Sequence, residues 1–492
     1  MELFNNKLDL FLTVVVSVYV CGLVYWLMKN ANELYYCLGK KNLPPGDMGW
    51  PLIGNTLSFS RAFNSANPES FLENLVSRYG RTGVYKTHIL GKPLIMVTLP
   101  ELNKAILTDD RNFALAYPGM LAILGKRSLL TVHGVEHKRL RRLTTAPING
   151  NEALSMYVEL IEDVVMTSFD EWASMNKPIE LLVELKRASF KVLTYIFFGG
   201  RGYSSLQPLT QLFSDLFGGM FTRPINLPGF PYNKALKARR RLVEIVNAAI
   251  EERKIENKRG VDFSNEKKSM LDLLLEVDDE DGEKMDNITI IDLLGSLVFG
   301  GHETTAIAIM WLLIYLHDNP KILQKVKEEH ENIISKRPST QKRLTMAEIK
   351  QMSYTAKVVQ ETLRMANVGV GGFRDAKADV EINGYTIPKG WKVLLMFRDI
   401  HLNPEIFPNP KTFDPSRWDN INIKAGAYTP FGLGSRFCPG NELAKLEAFI
   451  FLHYFLFHYK LERINPNCEV VSFAFRVPKD NFMVRLTKAS SS

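Results

Sequence analysis

Cysteine is scarce in this chain: Cys21, Cys37, Cys438 and Cys468 are all that 492 residues carry. No two of them stand at a metal-ligand spacing such as C-x-x-C. Four thiols in so long a chain do not make a disulfide framework, so the main domain belongs in a reducing compartment. Also missing is a linker rich in Pro, Gly or Ser after residue 50. Length alone suggests about three domains, but without a linker one large domain is expected. There is no internal repeat and no low-complexity tract. The formal net charge is +8, yet Lys and Arg are scattered among acids rather than gathered in a stripe. That argues against nucleic acid as a partner and favours an anionic membrane face or an acidic protein.

One long stretch lacks charge altogether, residues 10–28. At about 1.5 Å per residue it reaches roughly the thickness of a bilayer core. A cleaved signal peptide would carry an apolar region of about 7–15 residues and a small-residue cleavage site. This stretch is longer and ends in Tyr25, Trp26, Leu27 and Met28, which suits an interfacial aromatic belt. A retained transmembrane anchor is the reading. Glu2, Lys7 and Asp9 precede it, and Lys29, Lys40 and Lys41 follow. The positive-inside bias therefore puts residues 1–9 in the lumen and the rest of the chain in the cytoplasm. The sequon Asn287-Ile288-Thr289 is then expected to stay unglycosylated. Residues 29–46 read as a linker in which Pro44-Pro45 makes a stiff elbow, and residues 47–492 as the catalytic domain.

The catalytic domain reads as mainly helical with small β-sheets. Residues 152–200, 231–256 and 287–317 show apolar residues at helical spacing. Thr345 and Glu348 form a capping box. Strand signals are few and short: residues 95–97, and 381–387, where Asn383-Gly384 makes a hairpin turn. Residues 257–286 are highly charged and read as an exposed loop. Prolines 404, 408, 410 and 415 forbid regular structure around them.

The strongest signal is the segment Phe431-Gly432-Leu433-Gly434-Ser435-Arg436-Phe437-Cys438-Pro439-Gly440. A lone Cys is usually a small buried hydrophobe. Here three glycines let the backbone turn tightly and approach a flat cofactor. A helix starting near Asn441 puts its positive end by the sulfur and favours the thiolate. Arg436 is placed to pair with an anionic group.

The pattern F-x-x-G-x-R-x-C-x-G resembles the haem-binding signature of the cytochrome P-450 superfamily, whose fold is mainly helical. The resemblance implies a haem-thiolate monooxygenase. Cys438 would ligate the iron of haem b, and O2 would be the co-substrate. NADPH electrons would arrive through NADPH-cytochrome P-450 reductase, and the chain would sit in the endoplasmic reticulum membrane. Phe431 and Arg436 then become cofactor contacts. Electron density from the thiolate favours O–O cleavage.

Three further segments fit the resemblance. Glu361 and Arg364 share one helix face, which alone describes a common surface ion pair. The segment from Phe413 to Trp418 resembles the one that completes the family's Glu–Arg–Arg triad, so Arg417 would join Glu361 and Arg364 in a buried network. Phe299-Gly300-Gly301-His302-Glu303-Thr304-Thr305 resembles the oxygen-activation motif. Two consecutive mid-helix glycines need either close packing or a functional gap, since each costs about 1 kcal/mol against Ala. On the family reading Gly300 and Gly301 make room for dioxygen, Gly301 beside the cofactor. Thr304 hydrogen-bonds the activated oxygen, and Glu303 relays protons. His137 stands where most members have Trp, and shares a helix face with Arg141. Both would hold a haem propionate, as would Arg374. Lys138, Arg139 and Arg142 would face an acidic reductase; the bland reading of that helix is a solvated basic face.

Across essentially the whole chain the sequence resembles the plant ent-kaurenoic acid oxidase family and its triterpenoid- and steroid-oxidising relatives. The implied substrate is a hydrophobic polycyclic terpenoid. Three glycines in residues 367–373 suggest a wide pocket and favour a triterpenoid or steroid, with ent-kaurenoic acid the alternative. Pocket residues carried over are Tyr117, Leu121, Phe217, Phe299, Gly300, Val368, Gly369 and Val370, with 477–482 as a further wall. A haem-thiolate isomerase or dehydratase is a remote alternative that Thr304 argues against, and nothing in the sequence supports a haem carrier without turnover.

Overall fold

The computed structural model describes residues 2–65, 67–115, 119–199, 209–220, 222, 224–259, 268–278, 284–369, 371–472 and 475–489, with side chains from residue 11 onward. Among the described residues, two helices are long and apolar enough to cross a membrane. They meet opposite fates. The first, Glu2–Cys37, leaves its apolar side chains from Phe11 to Met28 uncovered, as suits a membrane anchor. The second, Asn287–Asp318, is the buried axis of the catalytic domain. A helix apolar all round is stable in water only when other elements enclose it.

Its main neighbour is the helix Leu181–Phe198, and Pro231–Lys258, Ser353–Ala366 and Asn441–His458 pack around the rest. Asp286 caps the start of the central helix by accepting a hydrogen bond from the Thr289 N–H at 3.0 Å. Such a cap satisfies one of the first-turn donors that no helix can satisfy internally.

A five-stranded sheet lies beside the helices. Its order is Val84–Ile89, Lys92–Val97, Lys392–Leu395, Gly372–Ala376 and Phe113–Leu115. Only the pairing of Lys92–Val97 with Lys392–Leu395 is parallel, with Leu94 opposite Lys392. The strands are at most six residues long, as the sparse strand signals imply. Val380–Ile382 pairs with Tyr385–Ile387 across Asn383-Gly384, both at positive φ, the backbone a two-residue hairpin needs. The Thr345–Glu348 capping box forms in full.

Three expectations change. The charged stretch 257–286 is not loop throughout: Met270–Glu276 is a helix, capped reciprocally by Ser269 and Asp272. Buried Met270, Leu271 and Leu274 hold it to the core, and the surrounding charge masks that short apolar run. The region 152–200 is two helices, Asn151–Ser174 and Leu181–Phe198, separated by the short strand Ile179–Glu180. The first helix also does not stop at Met28. It continues to Cys37, so the first half of the expected linker, residues 29–37, is helical as well.

Candidate active site

The loop carrying Cys438 is built by its glycines and tied down on both sides. Gly432 and Gly434 sit at φ 74° and 72°, a region costly for other residues. A side chain at Gly434 would strike the Leu107 carbonyl at 2.5 Å. The Cys438 N–H returns to the Phe431 carbonyl at 2.9 Å, closing the turn. Asn149 donates to the Pro439 carbonyl at 2.6 Å. The helix Asn441–His458 starts directly beyond. Burial pushes the Cys438 thiol up, while the Gly440 N–H and the Arg141 guanidinium act the other way.

Around this loop the fold gathers three guanidinium groups and an imidazole. Arg141 and His137 come from one face of Gly134–Asn149, Arg374 from the sheet and Arg436 from the Cys loop. His137 is pushed down to about 4, first by burial and then by Arg436 and Arg141. Arg436 is pushed down by burial and by Arg374 and Arg141, with Asp110 the opposing acid. Arg436 also donates to the carbonyls of Leu129 at 2.9 Å and Val132 at 2.6 Å. Cations crowded together and partly desolvated call for a bound anion. The two carboxylates of a haem meet that demand, and a buried thiol beside them meets the iron's.

On the central helix the two glycines part company. A side chain at Gly300 would meet nothing within 4 Å. One at Gly301 would meet Leu193 at 2.7 Å. Open space therefore lies beside Gly300, while the bare Gly301 lets the helix Leu181–Phe198 pack close. Thr304 donates its hydroxyl proton to the Gly300 carbonyl at 2.7 Å. Glu303 is buried and forms an ion pair with Lys186 at 2.8 Å. His302 turns into the core, its Nδ1 2.8 Å from the Val298 carbonyl and its ring edge-on to Phe190 and Phe213.

Comparison with known proteins fits this constellation. A cytochrome P450 family model matches residues 44–484. The chain belongs to the cytochrome P450 family. It is therefore a haem-dependent monooxygenase that uses O2 and electrons supplied by a reductase. It is 49% identical to a beta-amyrin 11-oxidase of Glycyrrhiza uralensis over 94% of this chain and 95% of that one. It is 47% identical to a 7,8-epoxymelianol synthase of Ailanthus altissima (98% and 97% covered) and to ent-kaurenoic acid oxidase 2 of Arabidopsis thaliana (94% and 95%). Among solved structures it resembles the retinoic acid-bound cyanobacterial CYP120A1, with a TM-score of 0.79 at 26% identity, covering 91% of this chain and 100% of that one.

In this cytochrome P450 the three triad residues meet. Arg364 donates to both Glu361 oxygens at 2.8 Å, with neither side chain exposed. Arg417 reaches the same carboxylate at 3.2 Å and Trp418 at 3.1 Å. Arg417 also binds the Pro408 carbonyl, and Arg364 the His401 carbonyl. The network thus holds the proline-rich segment that leads to the Cys loop.

The pocket residues are brought together only in part. Phe217 stacks between Phe299 at 5.3 Å and Phe475 at 5.0 Å, joining three separate elements in one aromatic wall. Phe475 lies just before the wall expected at 477–482. Leu121 does not join it: that side chain is 58% exposed, while Met120, Ile123 and Leu124 of the same turn are buried. Val368 packs against the core and Gly369 faces open space. Gly371 and Gly372 do not widen the pocket. Added side chains there would strike the Leu395 carbonyl at 2.6 Å and Phe397 at 3.0 Å, so these glycines serve strand packing. Tyr117 and Val370 lie outside the described residues. Lys186 was missed as well; with Glu184, Arg187 and Lys191 on the same helix, it reads in sequence as one more charge on a solvated face.

Proposed function

We propose that this cytochrome P450 oxidises a hydrophobic polycyclic terpenoid, with a triterpenoid or steroid favoured over ent-kaurenoic acid. The balance is R–H + O2 + NADPH + H+ → R–OH + H2O + NADP+. The observation that carries the substrate class is the near-full-length similarity, at 47–49% identity, to enzymes named for beta-amyrin, 7,8-epoxymelianol and ent-kaurenoic acid. Gly371 and Gly372 are packed against Leu395 and Phe397 and so favour no larger substrate. The preference rests on those relatives, and the ent-kaurenoic acid oxidases keep the second reading open.

Cys438 would hold the haem iron through its sulfur, and His137, Arg141, Arg374 and Arg436 would hold the propionates. Haem, when bound, supplies the iron at which O2 is activated. Gly300 leaves space on the central helix for small reactants. Thr304 keeps its hydroxyl proton on the Gly300 carbonyl at the edge of that space, with lone pairs free to accept. Glu303 holds its carboxylate below the surface, and Lys186, 29% exposed, connects it toward solvent. That order of groups suits proton delivery into a closed site. The wall of Phe299, Phe217 and Phe475 offers flat apolar contact to a fused-ring skeleton.

Electrons would enter on the Cys438 side. A concavity of about 620 Å³ opens there, lined by Phe431, Leu433, Phe437, Lys350, Lys445 and Asn149. Lys138 and Arg142 are exposed, whereas Arg139 is engaged with Glu136 at 3.0 Å. An acidic reductase face suits this surface. The anchor would place the chain in the endoplasmic reticulum membrane, single-pass, with the catalytic domain in the cytoplasm.

The test is to express the full chain with a reductase, feed a panel of di- and triterpenoids, and identify the products. An oxidised triterpenoid is expected. Turnover of ent-kaurenoic acid alone would establish the second reading, and NADPH-independent rearrangement would sink the monooxygenase assignment. A carbon monoxide difference spectrum lacking the thiolate band would remove Cys438 from the site.

A further inference from the structure

The central helix is sealed on most of its circumference and open along one line. From Thr289 to Leu316 every residue is buried except Gly300, Gly301, Thr304, Ala308 and Tyr315. Steps of four, four and seven residues put Gly300, Thr304, Ala308 and Tyr315 on one face. An open line therefore leads from the space beside Gly300, past Thr304, toward the C-terminal end of the helix.

A hairpin lies across the far end of that line. Its strands are Val470–Val471 and Val477–Pro478. Phe475, at the tip, joins the aromatic wall through Phe217. Its neighbour Arg476 meets the central helix instead. The Arg476 carbonyl accepts from Trp311 Nε1 at 2.8 Å, its guanidinium lies over the Trp311 ring at 4.2 Å, and Nη1 donates to the Tyr315 hydroxyl at 3.3 Å. An indole face and a phenol oxygen attract a cation but do not neutralise it. Among the described residues no carboxylate forms an ion pair with Arg476, and the Tyr315 hydroxyl proton has no acceptor. The acids nearby are taken. Glu69 pairs with Arg398 at 2.5 Å, and Glu361 with Arg364 and Arg417. Burial pushes the Arg476 guanidinium down, with the Tyr315 phenol acting the other way and Arg398 adding to the fall. A desolvated cation without a counter-charge calls for an anion from outside the chain.

We propose that Arg476, with the Tyr315 hydroxyl beside it, is an anion subsite at the end of the substrate cleft, and that the terpenoid taken here carries a carboxylate. The proposal rests on the terpenoid reading and adds the functional group and its orientation. A carboxylate there accepts from the guanidinium, a charge-assisted contact, and from the free phenol proton. Trp311 follows Thr304 by seven residues, about 10 Å along the helix axis. An acid held at Arg476 thus leaves the opposite end of a fused-ring skeleton beside Thr304, and the carbon oxidised is one remote from the carboxylate.

The full haem-loaded chain would be titrated with a pentacyclic triterpene carboxylic acid and with ent-kaurenoic acid, each against its own methyl ester. Binding is read from the change in the haem absorption band. At least one acid is expected to bind about 30-fold more tightly than its ester, the effect of removing one partner from a buried charge pair. Arg476→Gln should abolish that ratio and Arg476→Lys should keep part of it, with the carbon monoxide spectrum of both variants unchanged. Esters that bind as tightly as the acids in the wild type would overturn the subsite and leave the terpenoid reading standing, and that comparison needs no variant to fold. An acid preference undiminished in Arg476→Gln would overturn it as well, by placing the anion elsewhere. Binding of neither the acids nor the esters would overturn the subsite and the terpenoid reading together.

Discussion

Lys186 reaches Glu303 at 2.8 Å across the contact between two helices, and it is the only one of the pair with appreciable exposure, 29% against 7%. A carboxylate held below the surface by a cation that touches water is one arm of a proton route. Glu303→Gln should lower product formation by roughly 10²-fold, the lower end of what a positioned proton-transfer group contributes. Lys186→Met should move the same way, with more NADPH consumed per product and more peroxide released. If the two act as one unit, the double variant is no worse than the Glu303 variant alone. Full additivity, measured as product per NADPH with the haem spectrum intact, would separate the residues.

Gly300 and Gly301 are neighbours with opposite sensitivities. Gly301→Ala places a methyl group 2.7 Å from Leu193, and overpacking of this kind costs about 1–3 kcal/mol. Gly300→Ala meets nothing and gains helix propensity of up to about 1 kcal/mol, but fills the space beside Thr304. Thermal unfolding should fall for Gly301→Ala and hold or rise for Gly300→Ala, while turnover falls for Gly300→Ala. Leu193→Ala added to Gly301→Ala should recover part of the lost stability. If both alanines destabilised equally, the glycines would have no division of labour.

That pair also shows where the sequence runs out. The motif around Cys438 and the Glu361–Arg364 spacing were legible because the residues that act together lie within one turn or one helix. The packing of Gly301, Gly371 and Gly372 was not legible because a glycine's neighbour in space is not written beside it in the chain. Those neighbours are Leu193, Leu395 and Phe397, and no local pattern names them. Lys186 was missed for the same cause: its partner lies 117 positions away. The helix Met270–Glu276 was hidden by the charge that flanks it, and its apolar face counts only against a core that sequence does not display.

The buried network at Glu361 predicts a failure of cofactor loading rather than of chemistry. Arg364 satisfies both oxygens of Glu361 and the His401 carbonyl with neither charge exposed. Removing one member of such a network costs about 3–5 kcal/mol because the other charge is left unpaired in the interior. Arg364→Ala should yield protein without bound haem. Arg364→Lys should fail as well, since an ammonium cannot reproduce the two-pronged contact. Haem content of the purified variants is the readout. A normal spectrum in Arg364→Ala would show that the segment leading to Cys438 stands without the network.

Glu447 gives the chain a pH-dependent stability term. It lies fully buried on the helix that follows Cys438, accepts the Ser189 hydroxyl at 2.8 Å through one oxygen, and finds no partner for the other among the described residues. Burial pushes its carboxyl up to about 8. An unfolded Glu releases its proton near pH 4.3. Between those values the folded chain keeps a proton the unfolded chain has lost, so the contribution is complete below the lower value and disappears as pH rises through the upper one. Glu447→Gln removes this term and keeps an acceptor for Ser189. The wild type should therefore lose thermal stability relative to the variant steadily from about pH 5 to 8. Every other titrating group is shared by the two proteins and drops out of the difference. Parallel melting-temperature curves for the two across that range would mean that Glu447 is already ionised in the fold.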